Sequence, residues 1–162
     1  MAVEIVKADL GLPAHAGALF EVLNAYASDA MGGGESLSDF VRDNLAAELK
    51  KRPNAHVFLA FDGERAVGLA TCIEGFSTFA CKPLLNIHDL AVMPGYRGQG
   101  IARRLIARVE EQARALGCCK LTLEVLEGNA VARALYRSSG FAGYELDPAT
   151  GKAMFMHKPL DQ

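Results

Sequence analysis

The sequence predicts an α/β (α+β) chain: one mixed, mainly antiparallel sheet of about seven strands flanked by about four helices. Three observations predict it. A strand-like run at 84–93, an amphipathic helical run at 101–116 and a strand-like run at 120–126 follow one another, which implies a parallel pair with a right-handed crossover. Two β-rich runs flank Asp62-Gly63 in "HVFLAFDGERAVGLATCIEGF", the pattern of an antiparallel hairpin. A second such pair, "FAGYEL" and "KAMFMHKPL", surrounds the turn residues "DPATG".

The elements follow in order. Val3 to Ala8 is a short strand. Pro13 suits a first helical turn, where its missing N–H is no loss. Leu19, Val22, Leu23 and Tyr26 then recur at helical spacing, so a helix is expected from about Pro13 to Ala30, broken by "MGGGES". Ser36 or Ser38 can cap a second helix whose apolar face carries Phe40, Val41, Leu45 and Leu49, and which Pro53 ends. After the first hairpin, "PLLNIHDLAVMP" is a strand between two prolines. Ile101, Leu105, Val109, Ala113 and Leu116 form one helical stripe that stops at Gly117. "KLTLEVL" is a strand, Asn129 to Ser139 a short helix, and the final hairpin completes the sheet. With no repeat, linker or low-complexity segment, residues 1–162 read as a single domain with one sizeable core.

The net charge of −2 gives no support for a nucleic-acid partner. No apolar run approaches the roughly 20 residues of a membrane span. "MAVEIVKADLG" carries acids early and lacks a basic region followed by an apolar block, so it does not read as a signal peptide, and a cytoplasmic location is expected. Cys72, Cys81, Cys118 and Cys119 form no CxxC pair, and no Cys/His cluster has zinc-ligand spacing; reduced structural thiols and no metal are expected.

The segment "VMPGYRGQGIARRL" places glycines between a strand and a helix. It is not a nucleotide P-loop, because Gly100 is followed by Ile101-Ala102 and not by a lysine and a hydroxyl. Nor does the spacing of Gly95, Gly98 and Gly100 match the dinucleotide fingerprint. What remains is R-x-x-G-x-A from Arg97 to Ala102. Glycines at 98 and 100 let the backbone approach a ligand. The first helical amides, Ile101 to Arg104, have no intrahelical acceptor and lie at the positive end of the helix dipole. That is an anion site suited to a pyrophosphate.

"LAVMPGYRGQGIARRLI" resembles the acetyl-CoA loop of the GNAT superfamily of N-acetyltransferases. A second signature of that family, N-x-x-A-x-x-L-Y-x-x-x-G-F, fits Asn129, Ala132, Leu135, Tyr136, Gly140 and Phe141. The resemblance is clear from about Leu84 to Glu145. It implies the GNAT fold, acetyl-CoA as acetyl donor and a primary amine, small molecule or peptide, as acceptor, attacking directly in a ternary complex. It puts the pyrophosphate on Arg97, Gly98, Gln99, Gly100, Ile101, Ala102 and Arg103. The pantetheine arm then lies along Leu90, Ala91 and Val92, where a free strand edge would offer backbone groups to it. Asn129 would meet the cofactor, and Tyr136, seven residues on and so on the same helical side, would be the general acid for the leaving thiolate.

The base is less fixed. Removing a proton from a lysine-like amine at pH 7 costs roughly 4–5 kcal/mol. His88 stands where many members carry a glutamate, and histidine's ordinary pKa suits proton relay. His88 as base and His88 as a hydrogen-bonded rim residue both stay open, with Glu124 or water as alternatives. His88 and Asp89 are strand neighbours and so expected on opposite faces, Asp89 in a structural role. The loop 26–36, with Tyr26, Asp29 and Glu35, is expected to border the acceptor. A non-catalytic coenzyme A-binding module, another acyl group or an O-acceptor remain alternatives. Met154, Phe155 and Met156 suit a homodimer interface as well as a core.

Overall fold

The computed structural model describes residues 2–161. Its elements are β1 (Val3–Lys7), α1 (Pro13–Ser28), α2 (Asp39–Lys50), β2 (Ala55–Asp62), β3 (Arg65–Ser77), β4 (Lys82–Val92), α3 (Ile101–Ala115), β5 (Leu121–Leu123) and α4 (Ala130–Ser138). The strands form one sheet in the order β1-β2-β3-β4-β5. The first three junctions are antiparallel, and β4–β5 is parallel, joined through α3. No described helix is long and apolar enough to cross a membrane.

Local chemistry accounts for most boundaries. α1 begins at Pro13 and ends at Ser28, because Asp29 turns to extended backbone at ψ 153°. Ser38 caps α2, its hydroxyl accepting from the Val41 N–H at 3.3 Å. In the first hairpin Asp62 pairs with Arg65, so the loop is Gly63-Glu64, and Gly63 alone carries the positive φ of 60°.

The mixed sheet and the four α-helices match expectation, but the sheet has five strands instead of about seven. The final hairpin is reduced to a bridge between Glu145 and Lys152. Its turn does form: the Thr150 N–H donates to the Asp147 carbonyl and the Ala149 N–H to the Asp147 carboxylate, each at 2.9 Å. The arms beyond it bury little. Met154, Phe155 and Met156 are 72–84% exposed, so no apolar face holds a ladder together.

Both faces of β2 and β3 are buried. On one face Phe58, Val67, Ala70, Leu85 and Ile87 pack against Ile101, Leu105 and Val109 of α3. On the other, Val57, Leu59, Leu69 and Ala91 pack against Ala18, Leu19 and Val22 of α1. Gly68 lies under the start of α3: a Cβ there would stand 3.1 Å from Leu105 Cδ1 and 3.2 Å from Ile101 Cγ2. Its strand partner is Val92, the last residue of β4. The glycine thus lets α3 sit close to the sheet where β4 ends, which fixes the short link between them.

Candidate active site

β4 and β5 pair only at Leu85–Leu121, Asn86–Thr122 and Ile87–Leu123. β4 runs on to Val92, so its second half has no strand on that edge. The Met93 N–H donates to the Val67 carbonyl at 2.8 Å, toward β3. By alternation Ala91 also faces β3, while the backbone groups of Leu90 and Val92 face the open edge. Leu90 and the Val92 N–H therefore offer free strand groups, while the Val92 carbonyl accepts from Arg97 Nε; Ala91 spends its own on the ladder.

Along β4 the register with β3 shifts. Thr71 faces Asp89 and Cys72 faces Ile87, leaving His88 as the extra residue of a β-bulge. The bulge cancels the alternation that would send His88 and Asp89 to opposite faces. Asn86 lies between Leu85 and Ile87, both buried on the α3 face, so it points to the α1 face. His88 Nδ1 lies 2.6 Å from Asn86 Oδ1 and so shares that side. Asp89 shares it too, accepting from the Thr71 hydroxyl beside Ala91. The Asn86 amide nitrogen in turn donates to Thr122 Oγ1 at 2.7 Å. With the amide so engaged, Asn86 Oδ1 is the acceptor facing His88 Nδ1, and Nε2 is the ring nitrogen outside that contact.

The link after β4 contains Tyr96, whose hydroxyl donates to Asp62 at 2.9 Å while the Arg65 guanidinium sits 5.5 Å over its ring. This staples the loop to the β2–β3 turn. Gly98 and Gly100 follow at φ 75° and 80°, and Gly100 is the N-cap of α3. A Cβ at either would meet nothing within 4 Å, so both open onto free space. The first helical donor with a backbone acceptor is Arg104, bonded to the Gly100 carbonyl at 3.1 Å. Among the described residues the amides of 98–103 have no backbone acceptor, which covers Gly98, Gln99, Gly100, Ile101, Ala102 and Arg103. The arginine side chains around the loop have partners within the chain. Arg97 donates to Asp29 and to the Val92 carbonyl, Arg103 to Ser138 and Arg104 to the Val3 carbonyl.

The second signature turns out to be a helix with both ends capped. Asn129 is the N-cap of α4, its side-chain oxygen accepting from the Ala132 N–H at 3.2 Å. At the other end Gly140 has φ 95°, its N–H donates to the Arg137 carbonyl at 3.2 Å, and the Phe141 N–H donates to the Tyr136 carbonyl at 2.9 Å. That is the Schellman arrangement. Tyr136 is half-buried and in edge contact with Phe141. Burial, then the neighbouring Tyr26, pushes its phenol up; burial, then Asp89 and Asp29, does the same to Tyr26. Both phenols hold their protons at neutral pH.

The structure links the cradle to α4 through Arg103 and Ser138, links His88 to β5 through Asn86 and Thr122, and sets Tyr136 near Tyr26 of α1. It also brings in Asn86, Thr71, Thr122 and Tyr96, which the sequence reading missed because their partners lie far along the chain. Glu124 is exposed just beyond β5. A cavity of about 880 Å³ lies between β5, α4 and residues 141–155; Tyr136 and Glu124 are on its wall and the cradle is not. Among the described residues no group of three or more His, Cys, Asp or Glu could hold a metal ion.

Comparison with known proteins finds acetyltransferases among the relatives. Streptothricin acetyltransferase of Streptomyces lavendulae is 41% identical over 87 residues, 52% of this chain and 46% of that protein. Thialysine N-epsilon-acetyltransferase of Caenorhabditis elegans is 32% identical over 118 residues, 65% of this chain and 73% of that protein. The chain thus spans about half the length of the streptothricin relative. A crystal structure of an aminoglycoside acetyltransferase, meta-AAC0020 from an uncultured soil metagenomic sample in complex with trehalose, shares the fold: TM-score 0.79 at 21% identity, over 98% of this chain and 97% of that one. A family model described as Acetyltransferase (GNAT) family matches residues 19–141, from the middle of α1 through the bulged strand and the glycine loop to Phe141. The chain belongs to the GNAT family of acetyltransferases.

Proposed function

We propose that residues 1–162 act as an acetyl-CoA-dependent N-acetyltransferase domain in which a primary amine attacks the thioester directly, within a ternary complex. The observation that carries this reading is the run of unpaired amides at 98–103, continuous with the unpartnered edge of β4 and followed by Tyr136 on α4. These residues fit the donor. The amides and the positive end of α3 suit a pyrophosphate, and Gly98 and Gly100 leave room for it. Leu90 and Val92 suit the amide groups of the pantetheine arm. Asn129 would meet the cofactor through its backbone and amide nitrogen, since its oxygen holds the α4 cap.

Bound there, acetyl-CoA supplies an activated acetyl thioester. The chain's own groups divide the proton work. Tyr136 holds a proton at its hydroxyl for the leaving sulfur, and burial keeps that proton in place at neutral pH. Asn86 orients His88 so that Nε2 takes the proton of the acceptor amine, directly or through water. Burial pushes the Cys72 thiol up to about 12 and the Cys118 thiol upward as well, so neither of these two offers a thiolate.

The relatives' names point to streptothricin, thialysine and an alanine of ribosomal protein bS18 as acceptors of those proteins. A small-molecule or peptide amine is the matching acceptor here. The test mixes pure protein with acetyl-CoA and a panel of streptothricin, thialysine, lysine, an aminoglycoside and an alanine-terminated peptide, and assays free thiol. Release with at least one amine is expected. Tight acetyl-CoA binding with no thiol from any amine would instead mark a non-catalytic coenzyme A-binding module.

A further inference from the structure

Arg97 opens the R-x-x-G-x-A motif, yet its side chain leaves the cradle. Its Nε donates to the Val92 carbonyl at 3.1 Å and its Nη2 to the Asp29 carboxylate at 2.9 Å. Arg103 and Arg104 are engaged elsewhere too, each at 2.7 Å, to the Ser138 hydroxyl and the Val3 carbonyl. The loop amides at 98–103, by contrast, have no backbone acceptor.

Asp29 is the C-cap of α1 and the first residue of a tight loop. Its carbonyl accepts from the Gly32 and Gly34 N–H groups, both at 2.9 Å, and Gly34 also donates to the Ala27 carbonyl at 3.0 Å. The loop lies so close to the helix end that a Cβ on Gly32 would stand 1.9 Å from the Tyr26 carbonyl oxygen. Tyr26, in the same last turn, is the residue whose phenol feels Asp89 and in turn influences Tyr136. One ion pair between residues 68 apart therefore joins the donor loop to the helix end, the glycine loop and Tyr26.

We propose that Arg97 is a positioning residue of the acceptor side and not a phosphate ligand. Through Asp29 it fixes the last turn of α1 and loop 29–34, and so sets where the amine sits against Tyr26 and Asp89. The inference rests on the N-acetyltransferase reading above. Arg97 and Asp29 stand 52% and 36% exposed, so the pair is partly screened, and its effect is a graded one.

The experiment compares wild type, Arg97→Gln, Asp29→Asn and the double variant of the full chain. Three quantities are measured: hydrogen exchange of residues 27–36 without ligand, acetyl-CoA Kd by calorimetry, and KM for whichever panel amine turns over fastest. Each single variant should speed exchange at 27–36 and raise acceptor KM about 2- to 5-fold, with the double variant no worse than the larger single. Acetyl-CoA Kd should stay within about twofold. An acetyl-CoA Kd raised about tenfold or more by Arg97→Gln, with exchange at 27–36 unchanged, would make Arg97 a phosphate ligand and overturn the inference. So would fully additive effects of the two substitutions. Failure of the parent reading shows elsewhere, as a wild-type protein that does not bind acetyl-CoA at all, and it takes this inference with it.

Discussion

Phe141 closes the helix that carries Tyr136. Its N–H donates to the Tyr136 carbonyl at 2.9 Å, and its ring meets the phenol ring edge-on, with centroids 5.9 Å apart and planes at 65°. The glycine and phenylalanine of the signature therefore fix the helix end and the ring of the proposed acid. Two variants separate the roles. Tyr136→Phe keeps the cap and the ring contact but removes the proton, so turnover should fall at least about 100-fold while acetyl-CoA affinity and Tm hold. Gly140→Ala forces a side chain into φ 95° and should cost about 1 kcal/mol, read as a Tm lower by about 2–4 °C. Unchanged turnover of Tyr136→Phe across the pH range would remove Tyr136 as the acid.

His88, Asn86 and Thr122 form one chain of contacts, at 2.6 Å and 2.7 Å, that spans the two parallel strands where they still pair. If Asn86 acts by holding the His88 tautomer, the two substitutions share one effect. His88→Gln and Asn86→Leu should each lower kcat by about 10-fold or more, and the double variant should be no slower than His88→Gln alone. Acetyl-CoA Kd should not move in any of them. Multiplying effects in the double variant would show that Asn86 serves the fold or the substrate independently of His88.

What the sequence disclosed was set by how local each feature is. The cradle was legible because Gly98 and Gly100 supply their positive φ within one turn, and the amides they free belong to the next few residues. The ends of α4 were legible for the same reason. Asn129 and Gly140 act within four residues of themselves, although the structure makes Asn129 first a helix cap. The face of His88 was not legible, because the bulge depends on how Thr71 and Cys72 meet β4. Asp29 as the partner of Arg97 was hidden by its distance along the chain. The last hairpin failed in the opposite way. Its turn chemistry at Asp147 is local and real, but a ladder needs a face to bury, and Met154 to Met156 have none.

Substitution in the cradle should separate binding from folding. A Cβ at Gly100 would meet nothing within 4 Å, and Gly100→Glu sets a carboxylate where the pyrophosphate is proposed to lie. The φ of 80° adds strain of about 1–2 kcal/mol whatever the side chain. Gly100→Ala serves as the control for that strain. Both variants should lose a similar few degrees of Tm, but Gly100→Glu alone should show no acetyl-CoA binding by calorimetry. Wild-type affinity in Gly100→Glu would place the phosphates somewhere else.

His56 gives the fold a weak point in acid. It is buried between β2 and β3, and among the described residues neither ring nitrogen has a hydrogen-bond partner. Glu74 Oε2 is 3.6 Å from its Nε2, too far for a good bond. Burial, then the charge of Lys7, pushes the His56 pKa below its ordinary value, with Glu74 pulling the other way. A histidine whose folded pKa lies below its unfolded value binds fewer protons in the folded state. Its contribution is therefore whole above about pH 6.5 and is lost as the pH falls below that. His56→Leu keeps the site apolar and removes the titration. Thermal unfolding followed from pH 7.5 to 5 should show wild-type Tm falling more steeply than that of the variant, the difference growing below about pH 6.5. Parallel curves would mean that His56 takes up its proton as easily folded as unfolded, with Glu74 fully compensating for its burial.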